Sequence, residues 1–330
     1  MKTVRATKDM AFRCLADRCP DTCCAGWEIP VDDESIARWQ RLPLPWREKM
    51  TVSTEWVDGE RQLKRQNGRC VLLNENKLCD LYAACGVEAL CRTCFLHPRF
   101  VAEYGAWREI MPGLSCPAWV SLYLMSDEPV QFMTEESDEL PRCNEIDALL
   151  FYRLKKAREC AIELVQNREM LLQNRLDALL ALAEETDGIS ERDAVPRGVL
   201  PAYLCKLQSL EILTPRWRDE LRRLHPAKKQ PWRDIVCEQL LVYYVFRFWL
   251  RSVYTGRILP WAKLAVWSCT VVSALGADCE SREEFCEIAR LYSKEIEHDA
   301  KNVETLYRVL CRHTGRYSAA GLLKAWEEIG

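Results

Sequence analysis

Cysteine is the residue type whose spacing points most directly to chemistry in this chain. Four cysteines fall within eleven residues, at Cys14, Cys19, Cys23 and Cys24. Thiolates crowded in this way repel one another and oxidise readily unless a positive centre holds them. Thiolate sulfur is also the ligand that zinc and iron–sulfur centres select. The spacing therefore predicts a bound metal ion or iron–sulfur cluster.

A disulfide framework is the competing interpretation of these cysteines. It requires an oxidising compartment and is typical of small secreted domains. The chain has 330 residues, and its first fourteen, MKTVRATKDMAFRC, contain no apolar signal segment. A metal centre in a cytoplasmic protein is therefore the favoured interpretation, and we expect at least four cysteine sulfurs to converge at ligand distance.

The adjacent pair in this group raises a geometric question. Pro20 suits the first position of a short helix. A helical turn there would bring Cys19 and Cys23 onto one side and point Cys24 about 100° away. Cys23 and Cys24 can then serve one cluster only if the backbone bends.

A second group of cysteines follows at wider spacing. Gly68 and Pro117 place turns next to two of its members, and a turn lets the backbone approach a bound centre closely. The members of this second group are Cys70, Cys79, Cys94 and Cys116.

Two cysteines in the same region fit the pattern less well. Cys85 and Cys91 lie in the stretch Leu81 to Phe95, which is predicted to form a helix broken near Gly86. Cys91 and Cys94 form a Cys-x-x-Cys pair, which is typical of metal ligands or of a redox pair. The alternative is that Cys91 is an ordinary helix residue. The eight cysteines from Cys143 onward are scattered singly, and we predict that they are buried apolar residues.

Charge and hydropathy exclude two classes of partner. The net charge of −3 and the pI of 6.0 provide no basic field that would attract a nucleic acid. The most apolar stretch, Ile235 to Leu250, contains Glu238 and Arg247 and is too short and too charged to span a bilayer. No nucleic-acid partner and no membrane partner are therefore predicted.

The chain changes character near residue 143. Residues 1–126 are predicted to form an irregular cysteine-cluster domain with a few short strands, such as Trp27–Val31, where apolar residues alternate. Residues 127–142 are predicted to be a linker, and residues 143–330 an α-helical bundle. The predicted fold class is mainly α.

Helices are predicted where apolar residues recur at helical spacing between glycines and prolines. Asp187 and Gly188 are predicted to end the longest of them. The predicted helices cover residues 34–40, 84–95, 146–183, 198–213, 217–224, 233–254, 261–276, 282–297, 301–313 and 318–328.

The cysteine pattern resembles a known family. The run Cys14-x4-Cys19-x3-Cys23-Cys24-x-Gly26-Trp27 is similar to the opening signature of the flagellin lysine-N-methylases, part of a wider group of cysteine-cluster proteins thought to chelate zinc or iron. Later segments resemble that family in the same order. They are Gly68-x-Cys70 with Leu78-Cys79, Thr93-Cys94 with Pro98-Arg99, Leu114-Ser115-Cys116-Pro117, Tyr244 to Tyr254 with Gly256, and Tyr292 to His298 with Asn302.

The resemblance has departures. The chain carries His97, Ala118, Thr255 and Asp299 where the family prefers other residues, and Cys85 and Cys91 are additions to its pattern.

The resemblance implies an iron–sulfur-containing protein-lysine N-methyltransferase that uses S-adenosylmethionine and acts on flagellin or a similar protein. It implies a metal centre, a 4Fe-4S cluster with zinc as the alternative. The implied ligand candidates are Cys14, Cys19, Cys23, Cys24, Cys70, Cys79, Cys94 and Cys116. Eight thiolates exceed the four that one centre needs, so either some are structural or there are two centres.

Polar residues of the helical half are the candidates for catalysis. Glu295, His298 or Asp299, and Asn302 are spaced to share one helix face. Tyr244 and Arg247 share a face of an apolar helix, where an arginine needs a partner that the Glu295/His298 face could supply. The predicted catalytic residues are therefore Glu295, His298, Tyr244 and Arg247, and the alternative is a buried structural network.

The remaining histidines, His97, His225 and His313, do not belong to any group of residues whose spacing predicts a catalytic or metal site. The 13 glycines contain no Gly-x-Gly, so a Rossmann-like cofactor loop is not predicted. The Cys-x3-Cys-x2-Cys spacing that marks radical chemistry on S-adenosylmethionine is also absent.

Two alternatives to the methyltransferase stay open. One is a non-catalytic cysteine-cluster protein that stores, senses or folds around a metal. The other is a thiol redox protein that uses Cys91 and Cys94.

Overall fold

The structure, a computed structural model, describes residues 1–141, 146–191, 194–195, 197–222 and 227–329 and confirms a mainly α fold. The strands are β1 (Lys2–Ala6), β2 (Thr54–Val57), β3 (Glu60–Leu63), β4 (Arg65–Gln66), β5 (Arg69–Cys70), β6 (Arg99–Tyr104), β7 (Trp107–Pro112) and β8 (Phe132–Glu136). The helices are α1 (Asp33–Trp39), α2 (Leu44–Val52), α3 (Asp80–Cys85), α4 (Arg92–Leu96), α5 (Pro117–Leu124), α6 (Ala148–Val165), α7 (Leu172–Asp187), α8 (Val199–Gln208), α9 (Pro215–Glu220), α10 (Arg233–Phe248), α11 (Ser252–Thr255), α12 (Leu259–Leu275), α13 (Arg282–Tyr292), α14 (Ala300–Leu310) and α15 (Ala319–Glu327).

The chain divides into two compact units. A cysteine-rich unit comprises residues 11–100 and 116–118, and a helical unit comprises residues 1–10, 101–115 and 119–330. This division differs from the predicted domains 1–126 and 143–330, because the first residues of the chain form a strand of the helical unit. None of the helices in the described residues has the length and apolar character needed to cross a bilayer.

The cysteine-rich unit has a small core closed by short elements. Asp32 begins α1 by accepting a hydrogen bond from the Ser35 backbone N–H at 2.8 Å, as an N-cap aspartate does. The Trp39 indole N–H, which is buried, donates to the Ala89 carbonyl at 2.7 Å. The predicted strand Trp27–Val31 is wrong, since this segment makes only an isolated bridge at Pro30.

Helix prediction succeeds in part in this unit. The helix predicted over 34–40 is confirmed as α1. The predicted break near Gly86 is confirmed, because Gly86 adopts a positive φ of 81° between α3 and a 3-10 turn. The stretch 84–95 is therefore not one helix but three short pieces, of which α4 is the last.

The helical unit carries one mixed sheet. Its strand order is β6-β7-β1-β8, with β1 parallel to β7 and antiparallel to β8. Strand β8 lies inside 127–142, so the linker prediction is wrong for these five residues. They alternate apolar and polar side chains only weakly, which is why the strand was not evident from the sequence.

The core of the helical unit is built on α10 and α12, which are buried along almost their whole length. The helix predicted over 146–183 is two helices, α6 and α7, because the chain leaves helical geometry between Gln166 and Leu171. The predicted stop after Asp187 is confirmed by Gly188, which is left-handed with φ of 66°.

Several other helices are shorter than predicted. The prediction 198–213 corresponds to α8 alone, and the prediction 233–254 to α10, a 3-10 turn and α11. Part of the predicted helix 217–224, together with Cys143 and His225, lies outside the described residues.

Candidate metal centre and polar cluster

The cysteines from Cys14 to Cys116 all belong to the cysteine-rich unit. Every cysteine of the described residues is a free thiol. The structure therefore contains no disulfide framework within that part of the chain.

The first thiol group centres on Cys23. No helix forms at Pro20. The chain instead turns at Cys23 and Cys24, and the two adjacent thiols hydrogen-bond to each other. The Cys23 thiol also interacts electrostatically with Cys14 and Cys116. The hydrogen bond with Cys24, together with burial, raises the pKa of Cys23, and the same bond lowers the pKa of Cys24 to about 7.

The second thiol group lies in and around the core of the unit. The Cys70 thiol interacts electrostatically with those of Cys24, Cys79 and Cys91, and burial raises the pKa of Cys70 to about 12. The Cys94 thiol hydrogen-bonds to Cys91 and interacts with Cys24. Cys24 therefore belongs to both groups. The chain turns at Cys23 and Cys24, and this turn connects the two groups.

Cys19 is placed at the end of a 3-10 turn over Ala16–Arg18, where its backbone N–H donates to the Ala16 carbonyl at 3.1 Å. The Cys19 thiol is partly buried.

Backbone N–H groups point at several of these sulfurs. The Ala16 N–H donates to Cys14 Sγ at 3.4 Å. Burial raises the pKa of Cys70 and of Cys79, and the backbone N–H groups of Leu72 near Cys70 and of Leu81 and Tyr82 near Cys79 oppose that rise. Such bonds favour a negatively charged sulfur and tune the potential of iron–sulfur centres.

Cysteine thiols are suitable ligands for a metal cation, but their sulfur atoms do not already surround a common centre. Within the described ranges, no three His, Cys, Asp or Glu side chains are arranged to hold a metal ion, so the expected convergence of four sulfurs at ligand distance is not met. Burial and mutual repulsion oppose ionisation of these thiols, and a cation reverses both effects. Metal binding would release the thiol protons.

The predicted catalytic residues lie in the helical unit, Tyr244 and Arg247 on α10 and Glu295 and His298 between α13 and α14. Helix α13 ends at Tyr292, a π-helical turn covers Ser293–Glu297, and α14 starts after Asp299, whose carboxylate caps it. The prediction that Glu295, His298 and Asn302 share one continuous helix face is therefore wrong. A π turn holds one more residue than an α-helical turn, so the side chains of Glu295 and Glu297 point in other directions than a continuous α-helix would give them.

Glu295 is held by backbone and side-chain donors of a neighbouring loop. Its side chain is 0% exposed and accepts hydrogen bonds from the Leu213 N–H at 2.7 Å and the Thr214 hydroxyl at 2.5 Å. Burial raises the pKa of this carboxyl group. The Asn302 amide donates to the carbonyls of Glu211 and Glu295, both at 3.0 Å. These contacts join the 211–214 loop to the π turn.

Arg247 faces Glu297 and not Glu295. The Arg247 Nε lies 3.7 Å from Glu297 Oε2, which also accepts a hydrogen bond from the Tyr243 hydroxyl at 2.7 Å. Burial raises the pKa of Glu297 against the opposing effect of Arg247. The expected arginine partner is thus in the predicted segment but at a different residue.

Tyr244 lies beside this cluster without joining it. Its ring contacts Tyr243, Phe248 and Tyr292, and its buried hydroxyl makes no hydrogen bond within the described part of the chain. His298 is exposed, and its Nε2 lies 2.7 Å from the Ser115 hydroxyl. The four predicted residues therefore form no single constellation: Arg247 joins Glu297, Glu295 binds the 211–214 loop, and His298 is at the surface.

A second buried charged cluster was not predicted. Lys263, 0% exposed, donates to Glu191 at 2.9 Å and to the Arg312 carbonyl at 2.8 Å. His313 Nδ1 lies 2.6 Å from the other Glu191 oxygen, and the Ala319 N–H donates to Glu191 at 2.9 Å. The only sequence signal was a lysine inside the apolar helix α12, which needs a carboxylate partner.

The helical unit also has a cavity of about 450 Å³ with a charged lining. Lys228 and Glu280 pair across 2.7 Å at its edge, and Cys279 contributes a buried thiol. None of the predicted catalytic residues lines this cavity.

Comparison with known proteins gives a distant match. The chain is 26% identical over 135 residues to proteins named Lysine-N-methylase from Salmonella typhimurium and Salmonella choleraesuis, which covers 38% of this chain and 33% of each relative. It is 28% identical over 125 residues to "Flagellar biosynthetic protein FliU" of Salmonella muenchen, covering 34% of this chain and 71% of that protein. The chain thus matches about a third of the length of the lysine-N-methylases. No family model matches the chain. No solved structure matches it.

Proposed function

We propose that this chain is a thiolate metalloprotein that methylates lysine side chains of a flagellin-like protein substrate, with S-adenosylmethionine as methyl donor. The metal group is an iron–sulfur cluster, with zinc as the alternative. The observation that carries the methyl-transfer part is the similarity to relatives named Lysine-N-methylase. The name of the FliU relative supports a flagellar substrate.

The thiol contacts support the metal part. Cys23 and Cys24 touch each other and connect to Cys14 and Cys116 on one side and to Cys70 on the other. Thiols in such number are the donors that iron and zinc prefer. Cys70 is buried and Cys24 and Cys116 are partly buried, whereas Cys14 and Cys23 are exposed. We assign metal binding to these residues.

Transfer to lysine requires a neutral amine held in line with the methyl donor. S-adenosylmethionine supplies, when bound, an electrophilic methyl group on a sulfonium. The chain must lower the pKa of the substrate lysine by desolvation and take up its proton. His298 is the predicted residue with an exposed ring, so we assign proton uptake to His298 and ordering of the surrounding segment to Glu295, Tyr244 and Arg247.

One assay tests this function directly. The anaerobically purified chain is incubated with flagellin and S-adenosylmethionine labelled in the methyl group, and flagellin peptides are read by mass spectrometry. The expected product is a gain of methyl groups on lysine only, together with S-adenosylhomocysteine in equal amount. Iron, sulfide and zinc are measured on the same preparation. Absence of labelled lysine with full metal content would refute the enzyme and leave the metal protein.

That second function, a non-catalytic metal protein, has an observation of its own. Two of the residues predicted for catalysis make contacts within the protein: Glu295 accepts hydrogen bonds from the 211–214 loop, and Arg247 pairs with Glu297. A structural network needs no substrate to account for it. A His298→Gln variant separates the two functions. If the chain is a methyltransferase, the variant loses methyl transfer at unchanged stability. If the chain is a non-catalytic metal protein, the unchanged chain and the variant bind the same amount of metal and neither transfers a methyl group.

A further inference from the structure

Arg251 lies on a 3-10 turn, Trp249–Arg251, that directly follows α10 in the helical unit. Its guanidinium group stacks over two aromatic rings. The central guanidinium carbon is 5.4 Å from the ring centroid of Phe248 and 5.5 Å from that of Trp261. Ring contacts of this kind hold the guanidinium plane in place and leave its N–H edges free. The residue is only partly buried, so a ligand can reach it.

No group of the protein uses these N–H donors. The Arg251 side chain makes no hydrogen bond and no ion pair with any residue that the structure describes. The other buried or partly buried arginines in the described part of the helical unit all have a carboxylate or a backbone carbonyl as partner. They are Arg5, Arg108, Arg158, Arg175, Arg233, Arg247, Arg282 and Arg290.

The charge of Arg251 is not balanced locally. Arg247, four positions earlier, lies 3.7 Å from Glu297, and this pair uses the nearby carboxylate. Burial, followed by the positive charge of Arg247, lowers the pKa of Arg251 to about 10, although Glu297 opposes this effect. A partly desolvated cation without a counter-ion costs free energy. An anionic ligand at this position would remove that cost.

The geometry of the group indicates which anion it would bind. A guanidinium fork donates two parallel hydrogen bonds to a carboxylate. S-adenosylmethionine, the proposed methyl donor, carries one carboxylate, on its amino-acid end. An acidic side chain of the protein substrate is the other source of this group. A single arginine set between two rings suits a small ligand with one carboxylate better than an acidic protein surface, which several exposed cations would bind.

We propose that Arg251 binds the amino-acid carboxylate of S-adenosylmethionine. The inference rests on the methyl donor of the proposed function and does not require the metal. It makes Arg251 a cofactor-binding residue, which no spacing in the sequence indicated.

The test compares two ligands that differ only in this group, S-adenosylmethionine and decarboxylated S-adenosylmethionine. Their binding to the full-length, anaerobically purified chain is measured by titration calorimetry. We expect the unchanged chain to prefer the carboxylated ligand by about 10- to 100-fold, the range for hydrogen bonds to a charged group. Arg251→Met should lose this preference while its affinity for the decarboxylated ligand stays the same.

Arg218→Met is the matched control. Arg218 is an exposed arginine of α9 that also has no ion pair in the described chain, so its replacement removes the same charge. This variant is expected to keep the full preference. Arg251→Gln covers the case in which methionine prevents folding, because glutamine is neutral and polar, and it should also lose the preference.

The outcomes separate this inference from the proposed function. A preference that persists in the folded Arg251 variants overturns the inference alone, as does an unchanged chain that binds both ligands equally. Weaker binding of flagellin by Arg251→Met, with unchanged binding of S-adenosylmethionine, also overturns it and assigns the carboxylate to the protein substrate. Failure of the unchanged chain to bind either ligand overturns both the inference and the proposed methyl donor.

Discussion

Replacing Glu295 with glutamine separates the two roles that this carboxylate could have. The sequence predicts a catalytic residue, and the contacts show a buried side chain that accepts from the Leu213 N–H and the Thr214 hydroxyl. Glutamine can keep an oxygen toward Leu213 and turn its amide toward the Thr214 oxygen. Alanine offers neither group.

The expected magnitudes follow from these contacts. For Glu295→Gln we expect the free energy of unfolding to change by less than about 1 kcal/mol, because both hydrogen bonds have a substitute. For Glu295→Ala, two donors lose their acceptor at about 1 kcal/mol each or more, and one buried methylene is removed at about 0.8 kcal/mol. The expected loss is about 2–4 kcal/mol, since Leu213 is 46% exposed and water can reach part of this loop.

The pH dependence has a definite sign. Burial raises the pKa of Glu295, so over the carboxyl range the folded chain keeps a proton that the unfolded chain has released. The free energy of unfolding therefore falls as the pH rises through that range. Glutamine does not titrate, so the stability of the unchanged chain relative to Glu295→Gln should be greater near about pH 4 than near about pH 7.

Urea unfolding followed by circular dichroism measures both variants, and methyl transfer is measured where all three chains are folded. The structural role predicts that Glu295→Gln transfers methyl groups within about threefold of the unchanged chain, in line with a stability change below about 1 kcal/mol. A fall of about 100-fold or more, which corresponds to about 2.7 kcal/mol of barrier, at unchanged stability would refute this reasoning. Glu295 would then act in the chemistry, as the sequence predicts.

Three further predictions concern other residues. Burial lowers the pKa of Lys8 from the ordinary lysine value of 10.5 to about 8. Between these two values the free energy of unfolding of the unchanged chain should therefore rise relative to that of Lys8→Met. A constant difference between the two chains over this pH range would contradict the prediction. Lys263→Met leaves the Glu191 carboxylate buried without its ammonium partner and should cost about 3–5 kcal/mol in urea unfolding, and a cost under about 1 kcal/mol would show that the pair is not buried in solution. Cys23→Ser should lower bound iron and sulfide measured after anaerobic purification, while Cys160→Ser, on an exposed face of α6, should leave them unchanged.

The mainly α class and the position of α1 followed from apolar spacing, which acts over a few neighbours. Strand β8 could not be predicted, because its partner β1 lies more than a hundred residues away and pairing decides its structure. The break between α6 and α7 could not be predicted from the sequence either. Gln166 ends α6 and its side chain accepts from the Val130 N–H at 2.7 Å, which is a tertiary contact.

The candidate site shows the same division between local and distant information. Sequence spacing drew attention to Cys14 and Cys23, which are near neighbours along the chain, whereas the interaction of Cys23 with Cys116 arises from the fold. It placed the partner of Arg247 in the correct segment and at the wrong residue, since the π turn around Glu297 carries no sequence signature. Lys263 and His313 meet at one carboxylate only through the fold.

The make-up of the cysteine-rich unit is compatible with a role of the proposed metal in its folding. Helices α3 and α4 have six and five residues, and the sheets β2-β3 and β4-β5 have two strands each. Elements of this size are marginal alone in water. Cysteines stand in or against the core where larger apolar side chains would otherwise contribute. Thiolate–metal bonds supply folding free energy in small metal-binding domains, so the proposed metal binding and the proposed methyl transfer are separable, and each needs its own variant to test it.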